Sequence, residues 1–133
     1  MSNNNINNAK RDFENRASHM NEEDVRETLK NGQKAKDMAK SAGVLRKYAE
    51  DICTFLSMTK DYVTGAYREV PFGTIAAIAG AIAYLVSPID AIPDPLPIIG
   101  LLDDAAVLGL CLKMVQCDVE DYRAWKNTRA LAA

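Results

Sequence analysis

The chain has 133 residues, is 48% hydrophobic and 26% charged, and carries a formal net charge of −2 with a sequence pI near 5.4. One domain is expected at this length. Its 7 glycines and 5 prolines are too few for a collagen-like or disordered chain, and the mildly acidic balance argues against a dedicated nucleic-acid binder. The cysteines, Cys53, Cys111 and Cys117, are odd in number and form no CxxC pair, which disfavours a disulfide framework or a zinc site. Free, buried thiols in a reducing cytoplasm are expected. The single histidine, His19, excludes a His-based triad or a multi-histidine metal site.

Charge is unevenly spread. Residues 1–70 hold 12 Lys/Arg and 11 Asp/Glu, residues 71–133 only 4 and 7, and the 20 residues between Glu69 and Asp90 carry none. The first nine residues are Asn-rich, with no basic region followed by an apolar stretch. Residues 1–20 therefore read as a flexible polar arm.

An amphipathic helical region, 21–64, follows. Asn21 suits an N-cap, with Glu22, Glu23 and Asp24 at the positive helix end. Val25, Leu29, Ala35, Ala39 and Ala42 form a thin apolar stripe that Gly32 interrupts, and Gly43 is a plausible stop. Leu45, Tyr48, Ile52, Phe55, Leu56, Thr59, Tyr62 and Val63 then recur at three and four residues, the pattern of a core helix that ends at Gly65. The lysines Lys30, Lys34, Lys36 and Lys40 are interleaved with Asp37 and preceded by Glu27, which reads as a solvated face.

Residues 65–126 read as a helical hairpin, with 127–133 as a tail. The first helix is predicted from Phe72 to Val86, opened by Pro71 and stopped by Pro88. Its small residues repeat at four-residue spacing (Gly73, Ala77, Ala81; Ala76, Gly80), which allows two backbones to approach closely and motivates a homo-oligomer. Four prolines between Ser87 and Gly100 predict a packed, rigid loop. The second helix is predicted from about Leu102 to Trp125. The expected fold class is all-α: a helical hairpin with a Pro/Asp-rich turn, packed with one or two N-terminal amphipathic helices.

The run from Tyr84 through Ser87-Pro88-Ile-Asp90-Ala-Ile-Pro93-Asp94, followed by Pro97-Ile-Ile-Gly100-Leu-Leu-Asp103-Asp104, resembles the YkvA family, small helical bacterial proteins of unknown function. The likeness extends over roughly Gly65 to Trp125. Pro95 departs from the pattern, where an aromatic or other apolar residue is more usual. The resemblance implies membrane association and no established activity.

Asp90, Asp94, Asp103 and Asp104 are the only acids between Glu69 and Asp118. Four carboxylates at one turn repel unless compensated, and hard cations take such oxygen ligands. One reading is therefore a Mg²⁺ or Ca²⁺ site, conceivably engaging a phosphate-bearing ligand. The other is helix and turn capping, with Ser87 as a further cap and Arg68 or Lys113 as an ion-pair partner. Tyr84, Ser87 and Arg68 are the candidate binding residues beside this turn, and Pro88, Pro93, Pro97 and Gly100 its structural residues. No nucleophile with a base, no Gly-rich phosphate loop and no nearby histidine points to catalysis.

A bilayer core is about 30 Å thick and a helix rises about 1.5 Å per residue. Pro71 and Pro88 leave about 15 secure helical residues, roughly 22 Å. Only eight uncharged residues separate Asp104 from Lys113. Three placements follow: a hairpin spanning a thin bilayer, one dipping into a leaflet, or the buried centre of a helical bundle. A spanning hairpin would leave both termini on the cytoplasmic side of the bacterial membrane, given Lys60 and Arg68 before it and Arg123, Lys126 and Arg129 after it. Tyr67, Tyr122 and Trp125 either anchor at a bilayer surface or pack together. The function classes that survive are a non-enzymatic, membrane-associated protein acting through a protein partner, a divalent-metal-binding protein, and a soluble accessory, inhibitor or immunity-type protein.

Overall fold

The computed structural model describes the backbone over residues 3–41, 43–91 and 97–132, and side chains over 7–40, 43–86 and 104–131. It is all-α. The described residues form six α-helices, α1 (Asn3–Ser18), α2 (Glu22–Leu29), α3 (Gly32–Ser41), α4 (Ala49–Thr64), α5 (Phe72–Ala91) and α6 (Pro97–Ala132), with a 3-10 helix at Gly43–Tyr48 and no strand.

The first correction concerns residues 1–20. Residues 3–18 are a helix, not a flexible arm. Ala9 and Phe13 are buried and Ala17 packs beside them; their four-residue spacing gives α1 one narrow apolar face. Asp12 and Arg16, also four apart, pair at 3.0 Å on the outside. Asn-rich composition hides this face because only three short positions carry it.

α2 starts as its residues dictate. The Asn21 side chain accepts from the Asp24 N–H at 2.8 Å, and the Asp24 carboxylate accepts from the Asn21 N–H at 3.2 Å, a reciprocal capping box. α4 begins at Ala49, after the 3-10 turn, and buries Ile52, Phe55, Leu56, Met58, Thr59 and Tyr62. Gly65 stops it at φ 87°, a left-handed conformation that a side chain disfavours.

α5 is the hub. It packs against α1, α2, α3, α4 and α6, and every residue from Ile75 to Ile82 is buried. Gly80 shows how. A Cβ there would lie 3.1 Å from the Cα, Cβ and N of Ala17, so α1 and α5 touch almost backbone to backbone. At Gly80 the small-residue stripe is covered by α1 of the same chain, whereas Gly73 at its start is exposed.

α5 and α6 are longer than predicted. α5 continues past Pro88 to Ala91: a proline so near the end removes one N–H bond and the helix stops three residues later. α6 opens at Pro97 instead of Leu102, a first helical position where the missing N–H costs nothing. Gly100 therefore lies in a helix and not in a loop. The tail expected at 127–133 is helical to Ala132. Along α6 the buried residues Val107, Leu108, Cys111, Val115, Val119 and Tyr122 trace one face. No helix among the described residues is long and apolar enough to cross a membrane.

Candidate functional site

The densest polar cluster sits where α4 meets α6. Ser57 and Asp61 are one turn apart on α4, Tyr122 and Lys126 one turn apart on α6, so each pair shares a face. The Tyr122 hydroxyl donates to Asp61 Oδ2 at 2.6 Å and hydrogen-bonds Ser57 Oγ. Lys126 Nζ donates to the same Asp61 oxygen at 3.1 Å and reaches Ser57 at 3.4 Å. Rings surround the phenol: Tyr67 lies 5.2 Å from Tyr122 and 4.7 Å from Trp125, and the Arg129 guanidinium sits 4.8 Å from the Trp125 ring. These aromatics pack together. Thr74 donates to Asp118, tying α5 to the same stretch of α6.

The electrostatics are self-compensating. Burial pushes the Asp61 carboxyl up, but the Tyr122 hydroxyl and the Lys126 ammonium together hold it below the ordinary value. Burial and the bond to Asp61 raise the Tyr122 phenol, and the bond to Asp61 raises the Lys126 ammonium. All three shifts lead away from neutral pH. A general acid or base needs the opposite, so the cluster is built to hold fixed charges and to clasp two helices.

The residues predicted around the Pro/Asp-rich turn fare differently. Tyr84 is half-buried against the core. Asp104 is 2% exposed, the deepest carboxylate among the described residues. The described contacts of Arg68 lie elsewhere: its guanidinium lies 4.4 Å from the Tyr62 ring and pairs with Glu22 of α2 at 3.2 Å. The side chains of Ser87, Pro88, Asp90, Pro97, Gly100 and Asp103, and all of Pro93 and Asp94, lie outside the described residues. The proposed Mg²⁺ or Ca²⁺ set is therefore represented by Asp104 alone, and among the described residues no group of three His, Cys, Asp or Glu is placed to hold a metal.

The thiols need a correction as well. All three are free, but only Cys111 is buried, while Cys53 and Cys117 are exposed. Cys111 Sγ lies 3.6 Å from the Ala77 carbonyl oxygen, and burial pushes its thiol up to about 12. The Ser57–Asp61–Tyr122–Lys126 clasp escaped the sequence reading, although its signal was present: two polar pairs at i,i+4, each bordering an apolar face.

The fold defines a class, short all-α proteins built round one buried apolar helix. Residues 74–110, from the first turn of α5 into α6, match a family described as protein of unknown function (DUF1232). A Bacillus subtilis (strain 168) protein described as uncharacterized membrane protein YkvA is 36% identical over 81 residues, covering 61% of this chain and 76% of the relative. The chain belongs to the YkvA family. No solved structure matches it.

Proposed function

We propose that this protein is a non-enzymatic, membrane-associated bacterial protein that attaches to the cytoplasmic membrane by its surface and acts by binding a protein partner. One observation carries the manner of attachment: α5, the segment whose composition suits a bilayer, is enclosed by five other helices. Its apolar surface is already matched, so membrane contact falls to the outside of the bundle. The membrane itself comes from the relative's description as a membrane protein. Binding rather than turnover is supported by the α4–α6 clasp, whose donors and acceptors are committed to one another.

Fractionation of cells expressing the tagged chain, followed by an alkaline wash of the membranes, tests this reading. The protein should sediment with membranes and leave them in the wash. Retention after the wash would mean an inserted hairpin and end the surface model. Recovery wholly in the cytosol would end the membrane reading.

A further inference from the structure

A groove of about 570 Å³ runs along the outer face of α4, walled by the end of α2 and by α3. Lys30, Lys36 and Lys60 rim it, Leu29 and Leu56 line it between them, and among the described residues no carboxylate lines it, although Asp37 accepts from the lining Gln33 at 2.9 Å. Its setting is equally biased: from Lys30 to Lys60 the chain has seven Lys/Arg and three Asp/Glu, in a protein whose net charge is −2. Like charges held along one concavity raise the local potential and concentrate anions.

Two of the three ammoniums are uncommitted. Lys36 and Lys60 form no ion pair among the described residues. Lys30 meets Glu27 at 3.1 Å, but both side chains are at least 70% exposed, and a pair so solvated exchanges readily. Across the ridge made by Cys53 and Ser57 lies a second groove with Arg123 and Lys126. Those two are held by Asp51 and Asp61 at 3.1 Å each. Of these two grooves, the one on the α2–α3 side holds the unpaired ammoniums.

We propose that this groove binds the phosphate headgroup of an anionic phospholipid and so docks the protein on a negatively charged bilayer. The inference rests on the membrane-surface reading above and names its contact. Three features favour a lipid over a free phosphate. The ligand-facing cations are lysines, point charges without the planar fork that reads one oxyanion geometry. Leucines sit between them, matching an amphiphile. The groove is open along its length, as a surface contact requires.

The test is co-sedimentation with vesicles of phosphatidylcholine, with and without phosphatidylglycerol. The parent should bind the phosphatidylglycerol vesicles, bind pure phosphatidylcholine weakly, and come off as salt rises. Near an anionic surface each lysine is worth about fivefold in affinity, so the triple variant Lys30→Gln/Lys36→Gln/Lys60→Gln should lose on the order of 100-fold. The matching Lys→Arg triple should bind like the parent, and Lys113→Gln, on exposed α6, should lose fivefold at most. Circular dichroism verifies that each variant is helical. A neutral triple variant that binds like the parent overturns the groove and leaves the membrane reading standing. Equal binding to both vesicle types also overturns the groove. Displacement from vesicles by stoichiometric free glycerol phosphate would make it a soluble-phosphate site and overturn the lipid. A parent that ignores both vesicles takes down both proposals.

Discussion

α5 and α6 pack against each other but are held by opposite means. α5 has no charge from Phe72 to Ile89, is buried all round from Ile75 to Ile82, and is positioned by shape: Gly80 against Ala17, with Ile75, Ile78, Ile82 and Leu85 in the core. α6 buries one face and is pinned by polar bonds from Asp118, Tyr122, Arg123 and Lys126. The difference teaches how little apolarity alone says about a membrane. A helix of alanines, glycines and isoleucines suits lipid and suits a close-packed core equally well. Its environment is decided by whether neighbours offer complementary faces, and here α1 does.

The sharpest way to break that contrast is to remove α1's hold on α5. Phe13 is fully buried, and Phe13→Ala should cost about 3–5 kcal/mol, read as a lower midpoint in urea unfolding. Gly80→Leu attacks the same contact from the other side. Its side chain would have to displace the Ala17 backbone, at a cost of about 1–3 kcal/mol, whereas Gly80→Ala should cost less. Proteolysis should then cut α1 first. If both α1-facing substitutions leave unfolding unchanged, α5 is not covered as described and the case for a bilayer segment reopens.

The α6 side of the comparison is sharpened with Tyr122→Phe. The ring stays and the hydroxyl between Asp61 and Ser57 is lost, which should cost about 1.5 kcal/mol. The pH dependence carries a sign. The folded Asp61 carboxyl is lowered, so its contribution is complete above the ordinary carboxylate value of about 4 and is lost as pH falls through the folded value. Tyr122 and Lys126 are raised, so theirs is complete below about 10 and is lost as pH rises through the folded values. Thermal melts should show both limbs. In Tyr122→Phe the acid limb should still begin near the ordinary carboxylate value but end at higher pH and be smaller, because Asp61 has lost one of the donors that stabilise its charge.

Local signals were legible and long-range ones were not. The Asn21 cap, the Gly65 stop and the single face of α4 could be read because each depends on residues within one or two turns. The arm assigned to residues 1–20 failed because Ala9, Phe13 and Ala17 make a convincing face only once α5 supplies the opposing glycine. Pro88 and Gly100 were read as breakers, yet a helix end tolerates a missing N–H and a long helix tolerates a glycine. At the site, Tyr122 reads as either a surface anchor or a packing residue, and nothing in its segment reveals that its hydroxyl lies 2.6 Å from Asp61. The basic groove was masked for a related reason. Lys30 and Lys36 look interleaved with acids along the chain, and only folding brings Lys60 beside them.

The smallest effect tests how far α5's enclosure depends on such local signals. α2 packs on α5 and α4 through buried Val25 and Thr28, yet with eight residues it is too short to be stable alone. Its capping box therefore matters beyond its own turn. Asn21→Ala removes the acceptor of the Asp24 N–H and should cost about 1 kcal/mol, while Asn21→Gly should cost only a few tenths. Urea midpoints of the two variants decide the matter. An unchanged midpoint in Asn21→Ala would mean that the side-chain bond contributes nothing and that α2 is held by packing alone. The expected loss in Asn21→Ala would show that one side of α5's enclosure begins with a hydrogen bond readable in the sequence.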